Sequence, residues 1–169
     1  MPIGTGAVVD RGRETSLRYV DGRHGQGVYP PGRTTLAIPV EAFNPASGTV
    51  SFWFRPDWTA PCSRAAMIVE VMAGEAWQLR FRHGYSHAPN HGYLTLGTGP
   101  NWSEGKVSGN ASFGVHNLFT GRRWRHYAIR WDRERDTIEL VVDGDTTGRR
   151  RGRFTCEQTE RLQARVLVS

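Results

Sequence analysis

Two segments four residues apart constrain this chain most, one running from Trp124 to Asp132 and the other from Thr137 to Gly144. In the second, Ile138, Leu140 and Val142 alternate with Thr137, Glu139 and Val141, the period of two expected of a half-buried strand. Asp143-Gly144 then supplies the left-handed backbone that a two-residue hairpin needs. The first segment alternates Tyr127, Ile129 and Trp131 against His126, Ala128 and Arg130, and a charged turn joins the pair. Neighbouring antiparallel strands in an all-β sandwich are the expectation.

The rest of the chain repeats the signal in shorter pieces. Residues 17–20, 27–29 and 34–38 read as brief strands separated by Asp21-Gly22, Pro30-Pro31-Gly32 and Pro39. Residues 47–56 set Val50, Phe52 and Phe54 against Ser51 and Trp53, and we expect a central strand ended by Pro56. Residues 66–71 could form a helical turn, but the β-branched Ile68, Val69 and Val71 with Gly74 behind them favour a buried strand. In 76–82, Trp77, Leu79 and Phe81 face inward and Gln78, Arg80 and Arg82 outward, with 93–97 as the antiparallel partner. Residues 98–118, poor in apolar anchors, read as a long loop, and 161–168 as the last of about ten strands. With 169 residues the chain suits one core. We expect an arm at 1–16 and a single sandwich domain at 17–169.

Arginine supplies nearly all the positive charge: the net charge is +6, and Lys106 is the one lysine. A planar guanidinium favours carboxylate, sulfate and phosphate, so the balance fits either an acidic partner or a solvated basic surface. Nucleic acid is disfavoured as a partner, because along the sequence the basic residues are not interleaved with aromatics on a recognised nucleic-acid fold. Cys62 and Cys156 have no Cys-x-x-Cys or Cys/His spacing, leaving a disulfide or two buried thiols open. Residues 1–13 lack an apolar run of signal-peptide length, and no stretch approaches the ~20 apolar residues of a membrane span. Synthesis in the cytoplasm is expected, with association with a virion as one destination.

Five pieces in order carry a resemblance: 25–29 (Gly25 to Tyr29), 36–39 (Leu36 to Pro39), 48–56 (Gly48 to Pro56), 124–132 (Trp124-x-His126-Tyr127-Ala128-Ile129-Arg130-Trp131-Asp132) and 140–144 (Leu140 to Gly144). Together they resemble the laminin G-like branch of the concanavalin A-like lectin/glucanase superfamily over residues 17–168. The resemblance implies an antiparallel jelly-roll sandwich of two curved sheets, serving as a non-catalytic binding or adhesion module. Members of that family follow the last hairpin with two further strands, whereas here only 161–169 remains. A sheet edge left open in this way would need covering by the N-terminal arm or another chain, including a second copy in a homo-oligomer.

Candidate sites are few. Glycanases need two carboxyl groups flanking one bond, and no Glu-x-Asp-x-Glu pattern occurs; Glu134-x-Asp136 falls in a turn. Gln78, Arg80, Arg82, His83 and Tyr85 offer the residue types of lyases of similar shape without their motifs. His83, His87 and His91 recur every four residues with no helix to align them. Trp58, Tyr85 and Trp102 lie among turn residues, where a ring can stack on a sugar or cap the sandwich. Arg149, Arg150 and Arg151 follow the hairpin as the densest charge cluster, read as an anion grip or a solvated loop. Asp143 and Asp145 offer oxygens to the structural calcium that the resemblance implies, although turn chemistry alone accounts for Asp143-Gly144. The expected function is a carbohydrate-binding or adhesion module for a glycan, an acidic one included. The alternative is a decoration protein that contacts a capsid or other assembly protein.

Overall fold

The computed structural model describes residues 18–29, 34–38, 44, 46–56, 67–73, 76–83, 92–99, 108–115, 122–151 and 162–168. Among these every regular element is a strand. The first six are β1 (Arg18–Asp21), β2 (Gln26–Tyr29), β3 (Thr34–Ile38), β4 (Ser47–Phe54), β5 (Met67–Ala73) and β6 (Ala76–His83). They are followed by β7 (Gly92–Gly99), β8 (Ser108–Val115), β9 (Arg125–Asp132), β10 (Thr137–Val142), β11 (Asp145–Arg151) and β12 (Leu162–Val168). No helix among the described residues is long and apolar enough to cross a membrane.

The strands form a four-stranded sheet ordered β11-β10-β9-β4, a six-stranded sheet ordered β3-β12-β5-β6-β7-β8, and a separate β1-β2 hairpin. All pairings are antiparallel. One face of each sheet is apolar, and the two faces meet. Tyr127, Ile129, Trp131, Ile138, Leu140 and Val142 come from the four-stranded sheet, and Val69, Val71, Leu79 and Phe81 from the six-stranded one; all are buried. The Phe81 ring bridges the layers, with its centroid 5.8 Å from Tyr127 and 6.3 Å from Phe52, while Phe52 stacks on Tyr127 at 5.7 Å. These offset and tilted contacts suit the aromatic quadrupole. The alternation visible in 137–142 is thus the inside and outside of one sheet.

Local chemistry fixes the ends. Asp143 and Gly144 both have positive φ, 52° and 96°, as a two-residue type I′ hairpin requires. At the opposite end of β9, the buried Trp131 donates its indole N–H to the Asn44 carbonyl at 2.8 Å, satisfying a polar group that burial would otherwise strand. Gly48 makes room for that ring, since a Cβ there would come within 2.5 Å of Trp131.

Burial, and then the Asp143 carboxylate, push the Tyr127 hydroxyl above the usual phenol range, with Arg123 opposing them. The unfolded chain releases this proton near pH 10 while the folded chain keeps it. From about pH 10 upward the unfolded state therefore binds fewer protons, and stability falls by roughly 1.4 kcal/mol per pH unit on this account. Below that pH the contribution is fully present. Tyr127→Phe is expected to flatten the alkaline limb in urea unfolding followed across that range, and superimposable wild-type and variant slopes would refute the assignment.

Four expectations are corrected. Residues 47–54 form an edge of the four-stranded sheet among the described strands, not its centre. Part of the expected 98–118 loop is strand β8, paired with β7. Arg149 and its neighbours are ladder positions of β11, not a solvated loop after the hairpin. The last strand, β12, is inserted between β3 and β5, so it lies inside its sheet and not at the edge of the strand order. The expected arm at 1–16, Cys62 and Cys156 lie outside the described residues.

Candidate functional site

The face of the four-stranded sheet that points away from the core is built by register. Cross-strand partners share a face, so Thr49, Arg130, Glu139 and Arg149 form one row across β4, β9, β10 and β11. Two residues further along, Ser51, Ala128, Val141 and Thr146 form the next, a row of short side chains. Trp53 and His126 begin the row after that. The polar and aromatic ends are thus four residues apart along β4, about 13 Å at strand rise.

At the polar end one carboxylate holds two guanidinium groups. Arg130 Nη2 donates to Glu139 Oε2 at 2.6 Å, and Arg149 Nε pairs with Glu139 Oε1. Glu139 is 14% exposed, whereas Arg130 and Arg149 remain 48% and 64% exposed. The acid is sunk between two cations whose outer edges face water. Beside them Arg135 pairs with Asp132 at 3.4 Å, and Asp132 also accepts the Arg135 amide, tying down the turn between β9 and β10. Together with Gly48, Thr49, Trp131 and Thr137 these groups line an open groove of about 490 Å³.

At the other end Trp53 is 39% exposed. His24, from the β1-β2 turn, meets its ring edge-on at 5.3 Å, and His126 meets it at 5.3 Å. The Arg23 guanidinium lies over the Trp53 ring at 5.5 Å, and Arg55 lies over Trp124 at 5.0 Å. Arginines and aromatics that are separate in the sequence therefore interleave in space. The sequence showed Trp53 as outward-facing, but nothing in it placed residues 23 and 24 against that ring.

The expected site residues are distributed as follows. Arg149 reaches the groove. Arg150 and Arg151 occupy β11 positions opposite Ile138 and Thr137. Trp58, Tyr85 and Trp102 lie outside the described residues. Asp143 is committed to the fold: its Oδ1 accepts the His126 amide at 2.9 Å, its own amide donates to the His126 carbonyl, and Arg125 approaches its Oδ2 at 3.8 Å. Calcium takes about six to eight oxygens. Among the described residues no group of three or more acidic, histidine or cysteine side chains gathers to hold a metal. A cation on Asp143 and Asp145 would have to share the former carboxylate with Arg125.

Two stacked antiparallel sheets, with no helix among the described residues and a groove on an outer face, have the architecture of the lectin and glucanase sandwich class. Residues 31–163 match the family model Laminin_G_3, of the concanavalin A-like lectin/glucanases superfamily, and the chain belongs to that family. Among solved structures it is similar to domain 4 of AbnA, an extracellular arabinanase from Geobacillus stearothermophilus in complex with arabinotriose. That match has a TM-score of 0.58 and 12% identity, over 96% of this chain and 73% of that one. Alginate lyase AlyC3 in complex with dimannuronate matches at a TM-score of 0.53 and 9% identity, covering 81% of this chain and 63% of the lyase. An endo-1,3-β-glucanase from Streptomyces sioyaensis matches at 0.52 and 17% identity, covering 90% and 63%. The chain thus spans less than two thirds of the latter two enzymes, and at these identities the likeness is one of fold. No curated protein matches the chain.

Proposed function

We propose that the chain is a non-catalytic carbohydrate-binding module whose ligand lies on the outer face of the four-stranded sheet. The open groove carries the proposal. Its lining combines hydroxyls from Thr49 and Thr137, guanidinium donors from Arg130 and Arg149, and acceptors from Glu139 and Asp132, the mix that hydrogen-bonds a sugar rim. The arabinotriose bound to the similar AbnA domain supports a glycan as the kind of ligand this sandwich accommodates. Support for a binding role without cleavage comes from the groove carboxylates. Glycoside hydrolysis uses two carboxyl groups turned to the scissile bond, whereas Glu139 is engaged by Arg130 and Arg149, and Asp132 by Arg135.

Affinity electrophoresis against neutral and acidic polysaccharides tests the reading. Wild type is expected to be retarded by at least one polymer, and Arg130→Gln with Arg149→Gln to weaken that retardation about tenfold, the sum of two exposed charge-assisted contacts. Retardation by none would overturn it. Release of new reducing ends from the retained polymer would overturn the non-catalytic part alone.

A further inference from the structure

Two groups stand out among the described arginines. On the sheets, Arg80 pairs with Glu70, Arg125 with Asp143, Arg130 and Arg149 with Glu139, and Arg135 with Asp132. Arg23, Arg55, Arg122 and Arg123 have no carboxylate partner among the described residues. All four lie near the end of the sandwich where β4 finishes and β9 begins. Arg23 sits on Trp53 near the end of β4, Arg55 follows β4 and lies over Trp124, and Arg122 and Arg123 immediately precede Trp124, which leads into β9. The hairpin reaches the same place, with Gly27 against Trp124 and His24 against Trp53.

The aromatic rings make this patch more than a loose set of cations. A guanidinium over an indole is attracted through its flat face, while its five N–H donors lie at its edge. Trp53 and Trp124 thus each carry a guanidinium, and no carboxylate of the described residues engages either Arg23 or Arg55. From this arrangement we infer that the Trp53 end of the sheet binds the carboxylate or sulfate groups of an acidic polysaccharide. The polymer then continues over Ser51 and Ala128 to Arg130 and Arg149, a path of about 13 Å, or roughly two to three sugar rings. The inference rests on the proposed glycan-binding function and specifies its ligand class. Single-stranded nucleic acid fits the patch less well, because bases stack on open ring faces and these two rings already carry guanidiniums.

The test is affinity electrophoresis in polygalacturonate, its fully methyl-esterified form, dextran sulfate, unmodified dextran and single-stranded oligothymidylate, over a series of salt concentrations. Wild type is expected to bind polygalacturonate or dextran sulfate at least tenfold more tightly than the uncharged counterpart. Which of the two is preferred separates a carboxylate from a sulfate ligand. Salt is expected to weaken the binding, because exposed charges are screened. Arg23→Gln combined with Arg122→Gln and Arg123→Gln is expected to lose about tenfold for the acidic polymer with its melting temperature unchanged. Arg55→Gln alone gives a smaller loss in the same direction. Equal retardation by charged and uncharged polymers, full affinity in the triple variant, or equally tight binding of oligothymidylate would overturn the inference. Binding of neutral polymers only would overturn it and leave the carbohydrate-binding module standing, whereas no retardation by any polysaccharide removes both.

Discussion

Phe81→Ala is expected to cost about 3–5 kcal/mol of unfolding free energy, the range for deleting a fully buried aromatic ring. The ring is completely buried on β6 and meets Phe52 and Tyr127 of the facing sheet. Its removal opens a void between the layers, where neither backbone can move without breaking its own ladder. At about 2–4 °C per kcal/mol for a domain of this size, the melting temperature should fall by roughly 10 °C. Phe81→Leu, which keeps part of the volume, should lose less. Thermal and urea unfolding read both variants. A loss below about 1 kcal/mol for the alanine variant would mean that this ring does not join the two sheets.

Glu70→Ala carries the second large expected loss. Glu70 is buried, although it lies on a sheet face turned from the aromatic core, and it accepts from Arg80 Nε at 2.6 Å. Removing one member of a buried pair leaves the other desolvated and short of its counter-charge, a cost of several kcal/mol when burial is complete. The Arg80 side chain is 20% exposed and has further interactions, which lower the expectation to about 2–3 kcal/mol. The double variant Glu70→Met with Arg80→Met should recover most of the loss, since two apolar chains of similar length need no desolvation. If the double variant is as unstable as Glu70→Ala, the stranded charge is not the cause.

The fold was legible where a strand is half buried. Thr137–Val142 shows its two faces because one packs on the six-stranded sheet and the other meets the groove, and Ala76–His83 does the same through Leu79 and Phe81. β8 was not legible: at the edge of its sheet, Ser108–Val115 carries only Phe113 and Val115 among Ser, Gly, Asn and Ala, so composition resembles a loop. The central placement of 47–54 failed for a related reason. Alternation reports which face is buried and is silent on how many neighbours a strand has.

Of the candidate site, Arg149 was visible as part of a charge run, but its partner was not. Glu139 lies ten residues away, and only the hairpin register brings the two together. The Trp53 end was less legible still, since a turn near the start of the chain had to land on a strand about thirty residues later. Such encounters depend on tertiary packing, for which no local period exists.

Between β10 and β11 the register shifts once. Val141 faces Thr146 while Leu140 faces Gly148, leaving Thr147 supernumerary with its hydroxyl on the Leu140 carbonyl at 3.1 Å. Were Thr147 paired in the ladder instead of bulged, Gly148 would face Glu139, Arg149 would stand beside the buried Ile138 and Arg150 beside Thr137. A single extra threonine thus acts as a frame selector, deciding which member of an arginine run is displayed beside Glu139. Deleting Thr147 would therefore leave Arg149 opposite Glu139, whereas forcing Thr147 into the ladder would rewrite the displayed surface with the hairpin tip untouched.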